Sequence, residues 1–538
     1  VVILYPYKTE TEPDARRMMV FRCRIESIGM DTIRLSLRAP QSDARVFLWY
    51  HDMMWAIEHD FIEASYGSLY RGMHAFLSAP KERRDLLMLQ REPRVDTTKT
   101  LKGDYGSFNT LSLRVKQAQD LFLIIGPPGT GKTSFGMLNT VKEELLEDRS
   151  AVLLLSYTNR AVDEICSKLV EDGIDFIRVG SALSCAPEYK DYLLEEKARR
   201  CKTLTELRTM LETARVYVGT TTALSSNVSL LQIRQFSLAV IDEASQILEP
   251  HLMGLLSARD GEYSAIKKMV FIGDHKQLPA VVQQPQDVSV VKEQELLNIN
   301  LTDCRLSLFE RLLRKYRDNP AVTYMLHRQG RMHHDIASFP NEAFYNGKLT
   351  EVPLPHQTGA LPAVGKEVEG MEKVLRSCRM TFIPTEPPSD STSDKVNIVE
   401  AKMIASAVKK IYEIEGEAFD VDATVGVIVP YRNQIATIRN LIDTYGVPCL
   451  HDIAIDTVER FQGSQRKYIL YGFTISKPYQ LKFLTDNVFV DTDGTVVDRK
   501  LNVAMTRAKE HLVIFGNPEL LQRNYTFARL MEFANKER

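Results

Sequence analysis

Gly126-Pro127-Pro128-Gly129-Thr130-Gly131-Lys132-Thr133 follows directly on the apolar run Leu121-Phe122-Leu123-Ile124-Ile125. The glycines let backbone N–H groups curl around phosphate oxygens, and a helix starting at the end of the loop points its positive end at them. In such a loop Lys132 pairs the β- and γ-phosphates of a nucleotide, and the Thr133 hydroxyl binds Mg²⁺. A bare Gly/Pro turn is the competing reading. Strand, loop and helix in this order speak against it.

A phosphate loop needs a carboxylate for the metal. Leu238-Ala239-Val240-Ile241-Asp242-Glu243 supplies one at the end of a second apolar run. Asp242 would hold Mg²⁺ through water, and Glu243 would orient and deprotonate the attacking water. Alone, this is as readily a solvated acidic turn; behind a phosphate loop it reads as catalytic. The two motifs together specify a nucleoside triphosphatase and no more.

Working outward, apolar runs at 121–125, 151–156, 215–219, 238–242 and 269–273 read as buried parallel strands, with an inserted helical stretch at about 181–213. A second set follows at 322–326, 424–429, 467–474 and 511–516, and the Pro- and Ser-rich 351–396 reads as a long loop. Upstream, residues 19–38 alternate around Ile25, Ile28, Ile33, Leu35 and Leu37, with Gly29 and Asp31 between, which predicts a hairpin. Residues 53–90 switch to helical spacing at Met54, Ile57, Phe61 and Ile62, then Tyr70, Met73 and Phe76. The expected fold class is α/β with two doubly wound domains, since 538 residues exceed one core.

Composition is that of an ordinary globular protein, 44% apolar and 26% charged, and the net charge of −2 gives no bulk attraction for nucleic acid. A basic groove on an otherwise acidic surface remains compatible with it. No apolar run is long enough for a membrane span. The seven cysteines are scattered with no C-x-x-C pair, which argues against a disulfide framework or zinc module and fits a reducing cytoplasm, nucleus or nucleoid. The apolar start Val1-Val2-Ile3-Leu4-Tyr5, without Met, reads as a piece of a longer protein with possible further domains. His327, His333 and His334 have no Cys or carboxylate at ligand spacing and are not read as a metal site.

Four later motifs decide the class of triphosphatase. They are Phe271-Ile272-Gly273-Asp274-His275-Lys276-Gln277, Gln329-Gly330-Arg331-Met332-His333, Thr457-Val458-Glu459-Arg460-Phe461-Gln462-Gly463, and Leu501-Asn502-Val503-Ala504-Met505-Thr506-Arg507-Ala508-Lys509. In this order they resemble motifs III to VI of superfamily 1B helicases, the branch of the nonsense-mediated-decay RNA helicase, senataxin and the replication nuclease–helicase. The resemblance covers roughly residues 105–520.

It implies ATP and Mg²⁺ bound between two tandem RecA-like domains, 111–318 and 319–538. A small β-barrel (1–52) and a helical stalk (53–110) would precede them. It also implies that Gln277 senses the γ-phosphate, that Arg331 and Arg507 act as arginine fingers, and that Gly463 admits close backbone approach. The track would be single-stranded DNA or RNA, travelled 5′ to 3′. Its contacts would come from Thr158, Asn159, Thr220, Pro430 and Tyr431; N-capping is the competing role for Thr158 and Asn159.

Some residues depart from the family pattern. Gly330 replaces an aromatic, His334 a proline and Gln465 a glutamate. Asn109 stands at the expected distance for the adenine-reading glutamine, where Gln117 is too close to the loop. These departures leave adenine selection open. The expected function is an ATP-dependent helicase or translocase. A nucleic-acid-gated clamp that does not unwind and an AAA-type protein-remodelling ATPase are the alternatives.

Overall fold

The computed structural model describes residues 2–15, 18–37, 44–60, 64–282, 284–363, 365, 367–386 and 393–536. The chain forms two units, residues 1–71 and 72–538.

In the first unit β1 (Val2–Tyr7) lies between β2 (Phe21–Ile28) and β4 (Met54–His59), antiparallel to both, and β3 (Ile33–Leu37) flanks β2. The β2–β3 hairpin falls where the alternation placed it. Among the described strands β3 and β4 remain edges, so the sheet is open where a closed barrel was expected. Met54–His59 corrects the helical reading there. Met54 and Ile57 fit a helical face, but six consecutive pairings with β1 hold the segment extended. Phe61 and Ile62 lie outside the described residues. Helices follow at Ala64–Ser78 and Lys81–Leu87.

The second unit holds two parallel sheets. The first contains β5 (Leu121–Ile125), β6 (Val152–Ser156), β7 (Ile177–Val179), β8 (Val216–Thr220), β9 (Phe236–Ile241), β10 (Ile266–Gly273) and β11 (Thr323–Met325), in the order β11-β5-β10-β9-β6-β8-β7. Leu121, Leu123 and Ile125 pack in one core, while Phe122 and Ile124 pack in the core on the opposite face. With both faces covered, an alternating pattern gives way to an unbroken apolar run.

One boundary moves, and one strand is added. β11 pairs with β5, Thr323 beside Leu123, so the first sheet extends past residue 318, and a strand assigned to the second domain belongs to the first. β7, only three residues long, was not anticipated. Helices Leu194–Arg199 and Leu204–Thr213 occupy the expected insertion, between β7 and β8.

The second sheet comprises β12 (Met380–Pro384), β13 (Val425–Ile428), β14 (Ala454–Asp456), β15 (Arg466–Gly472) and, after a short antiparallel hairpin of β16 (Val488–Val490) and β17 (Val496–Asp498), β18 (Ala508–Gly516). Its order is β12-β18-β15-β13-β14, all parallel. The expected loop at 351–396 is corrected, because it contains helix Gly370–Ser377 and edge strand β12. Prolines flank the strand without entering its middle, and β18 supplies the pairing that local sequence could not reveal. Fully buried Glu400 ties this lobe together, accepting from Thr474 Oγ1 (2.7 Å), Thr385 Oγ1 (3.2 Å) and Gln434 Nε2 (3.4 Å). Burial pushes its carboxyl up to about 7. These are two tandem RecA-like lobes.

Candidate nucleotide-binding cleft

The phosphate loop leaves β5 and is pinned by the Gly126 N–H, which donates to the Gly273 carbonyl of β10 (2.9 Å). Gly129 and Gly131 adopt φ of +74° and +75°, the left-handed region where a Cβ is strained. A helix then runs from Lys132 to Leu145, its first turn widened to a π-turn. Lys132 Nζ lies 2.8 Å from Glu243 Oε1, and the Thr133 hydroxyl donates to Asp242 Oδ2 (3.0 Å).

Asp242 directly follows β9 and is buried; burial, reinforced by neighbouring Glu243, pushes its carboxyl up to about 7. Burial also acts to raise Glu243, but the Lys132 ammonium outweighs it and holds that carboxyl below its ordinary value. Glu243 stands at φ +51°, a conformation costing about 1 kcal/mol that turns its carboxylate toward Lys132. Gln246 Nε2 donates to the other oxygen (3.0 Å).

The second lobe closes on this loop. The Gly330 N–H donates to the Gly129 carbonyl (2.9 Å), and a Cβ on Gly129 would come within 2.6 Å of Arg331 Cβ. Arg331 donates to Gln465 Oε1 (2.9 Å) and the Thr506 carbonyl (3.1 Å). Arg507, 2% exposed, donates to the Val503 carbonyl (3.1 Å) and Gln277 Oε1 (3.0 Å), while Gln277 Nε2 donates to Asp274 (2.9 Å). Burial, then the neighbouring Arg331 charge, lowers the Arg507 guanidinium to about 9. Among the described residues neither arginine forms an ion pair with a carboxylate. Two desolvated cations opposite a phosphate loop make an anion site. The cavity between them, ≈ 1180 Å³, is lined by Pro128 to Thr133, Asp242, Glu243, Gln277, Arg331, Gly463 and Arg507.

Two family models, each described as an AAA domain, match the two lobes, one at 109–206 and 190–285, the other at 304–519. The DNA replication ATP-dependent helicase/nuclease DNA2 of Xenopus laevis is 30% identical over 435 residues, covering 76% of this chain. The chain belongs to the superfamily 1B, DNA2/NAM7-like helicases. It spans only 37% of that relative's length. An uncharacterized ATP-dependent helicase of Methanocaldococcus jannaschii is 27% identical over 512 residues, covering 78% of this chain and 69% of its own. Among solved structures, Arterivirus nonstructural protein 10 (helicase) aligns with 79% of this chain and 63% of its own at 13% identity and a TM-score of 0.35.

At the far end of this superfamily 1B cleft, Phe108 and Phe135 stack at 5.1 Å and 22°, with Tyr324 and Leu326 beside them. The Asn109 expectation is corrected. Its amide is taken up locally, donating to Asp104 Oδ1 (2.8 Å) and accepting from the Tyr105 N–H (2.7 Å), and it does not line the cavity. Gln117 likewise donates to the Thr97 and Lys99 carbonyls. Gly126 and Pro127 stand off the lining as well; at Gly126 a Cβ would collide with Lys132 Cγ. Sequence reasoning missed Phe108, Phe135, Tyr324, Arg160 and Glu164, all on the cavity wall. Phe135 alone gave a signal, a large apolar residue one turn into the loop's helix, and it is 51% exposed.

The residues expected to contact the track lie at the ends of β6, β8 and β13. Thr158 Oγ1 accepts from the Ala161 N–H (3.2 Å) and Thr220 Oγ1 from the Ala223 N–H (3.1 Å), so both cap helices. Asn159 is exposed on the first turn. Tyr431, next to half-buried Pro430, stacks on Phe483 (5.4 Å, 18°) and accepts from Gln480 Nε2 (3.2 Å). No described helix is long and apolar enough to cross a membrane, and no disulfide forms among the described residues.

Proposed function

We propose that the chain is the motor part of an ATP-dependent helicase or translocase on single-stranded nucleic acid. The observation behind this is the approach of Arg331 and Arg507, from the second lobe, to the phosphate loop of the first. Lys132 takes the β- and γ-phosphates, exchanging its carboxylate partner for the substrate's charge. Glu243, thereby released, takes the proton of the attacking water. Arg331 and Arg507 then meet the charge that develops on the transferred γ-phosphoryl. Gln277, bonded to Arg507, reports whether that group is present.

Thr133 and Asp242 offer a hydroxyl and a carboxylate oxygen 3.0 Å apart, a donor set that suits Mg²⁺. Bound there, the ion would neutralise phosphate charge. The parallel sheet that follows the first lobe, where a remodelling ATPase would place a small helical lid, disfavours that alternative.

Thr158, Asn159 and Thr220 on one lobe and Pro430 and Tyr431 on the other are read as the strand's path, mostly by phosphate contacts. Travel 5′ to 3′ and a reducing intracellular setting are part of this proposal. The open N-terminal sheet and the 181–213 helices are read as accessory elements.

The test is steady-state ATP hydrolysis with and without single-stranded DNA and RNA, beside Glu243→Gln. Stimulation by one polymer, lost in the variant, supports the motor and names its track. Hydrolysis indifferent to both polymers overturns it. Strand displacement separates a helicase from a clamp.

A further inference from the structure

In the first lobe, every residue of the Asp274–Gln277 loop is held by the second. Tyr345 donates to Asp274 Oδ2 (2.7 Å), Arg499 Nε to the His275 carbonyl (2.9 Å), Asn502 Nδ2 to the Lys276 carbonyl (2.7 Å) and Arg507 Nη2 to Gln277 Oε1 (3.0 Å). The side chains of His275 and Lys276 also converge, with Arg317, on one carboxylate of the second lobe. Asp491 Oδ2 lies 3.0 Å from His275 Nε2, 3.0 Å from Lys276 Nζ and 2.7 Å from Arg317 Nη2, and Arg317 Nη1 reaches Asp491 Oδ1 at 2.8 Å.

Asp491 opens the turn between β16 and β17, where Gly494 at φ +83° reverses the chain. The other side of that turn is fastened to its own lobe. Asn346 donates to Asp493 Oδ2 (3.0 Å) and accepts from Thr495 Oγ1 (3.1 Å). The Asp491, His275 and Lys276 side chains are only 4%, 8% and 6% exposed. Burial alone would raise the Asp491 carboxyl; bonds from His275 and Arg317 hold it far below the usual range.

We propose that the 487–498 hairpin is an interlobe clasp and that Asp491 is a positioning residue, seating the loop that carries Gln277 against Arg507. This rests on reading the cleft as an ATPase site. Asp491 of the second lobe sits among His275, Lys276 and Arg317 of the first, with Asp493 of the same hairpin 3.7 Å from Lys276 Nζ. Withdrawing the hairpin as the lobes part removes both carboxylates from those crowded groups, and the loop relieves this by moving, which takes Gln277 off Arg507. Closure of the lobes and assembly of the sensor are then one event.

The experiment compares the 538-residue chain with Asp491→Asn, Arg317→Gln and the double variant, in stimulated ATP hydrolysis and in hydrogen exchange of the nucleotide-free protein. Each single variant is expected to lower kcat about tenfold with KM for ATP within about twofold, and the double to be no worse than either. Amides of 274–277 should exchange about tenfold faster while those of 121–133 stay unchanged. Unchanged exchange at 274–277, multiplying losses in the double variant, or loosening that spreads through 121–133 overturns the clasp. Should Asp491→Asn fail to fold, Arg317→Gln decides from the opposite side of the contact. A native chain that hydrolyses no ATP sinks the motor reading, while the exchange arm still decides the clasp.

Discussion

In the first lobe β5 ends in a glycine loop and β9 in two carboxylates, with Lys132 between them. In the second, Arg331 follows Gln329 by two residues and Arg507 sits between the helix Arg499–Met505 and β18, and neither position belongs to a phosphate loop. One lobe brings backbone N–H groups, one cation and two carboxylates; the other brings two desolvated cations. Neither half is a complete site. In the proposed motor a triphosphate is the charge that satisfies both, so chemistry would depend on how closely the lobes meet, and hydrolysis would become movement through that closure.

The strongest way to break this contrast is Glu243→Gln. Turnover should fall by about 10³-fold while nucleotide binding persists, because the general base goes but the cradle stays. Stopped-flow hydrolysis beside fluorescent-nucleotide titration checks it, and near-native turnover would remove the first lobe's assigned role. Arg507→Ala tests the other half. A loss of about 10²- to 10³-fold in kcat with little change in KM is expected, since the contact matures in the transition state. A rise in KM alone would make Arg507 a mere binding residue.

Gly129→Ala probes the approach itself. Its left-handed φ costs about 1 kcal/mol, and the new methyl presses on Arg331, so kcat should drop about tenfold with only a few degrees lost in Tm.

Glu400→Gln sharpens the comparison within the second lobe, away from the cleft. The folded value, about 7, lies above the unfolded one near 4.3. The native state therefore binds more protons between them, and stability falls as pH rises through that window. The variant should gain about 2 kcal/mol relative to native protein between pH 5 and pH 8, read by denaturant melts. A pH-independent difference would show Glu400 ionised throughout.

The smallest effect is expected at Thr220→Ala, about 1 kcal/mol of stability from the lost cap. If the strand's KM rises while Tm stays put, Thr220 grips the track instead.

What was legible depended on how local each signal was. The loop 126–133 and the pair Asp242-Glu243 announce themselves because their chemistry is contiguous and sits on unbroken apolar strands. Arg331 and Arg507 required the motifs around them, since an arginine alone is most often a surface partner for a nearby acid. Strand β12 was hidden by flanking prolines and serines, and β7 by its length. Asn109 was misassigned because spacing along the chain cannot show that an amide is already engaged by Asp104 and Tyr105. The β16–β17 hairpin carried an Asp-Gly turn signal at Asp493-Gly494, yet nothing local says that Asp491 faces His275, Lys276 and Arg317.

The sequence by itself determined two α/β lobes, a phosphate cradle and its acidic partners, because backbone curvature and strand burial are written in neighbouring residues. Only the tertiary structure decided that β11 belongs to the first sheet, that Gly129 meets Arg331, and that one carboxylate gathers the cations of the facing lobe. Those facts depend on charges and backbones far apart in the chain, brought together by packing that no short stretch of sequence encodes.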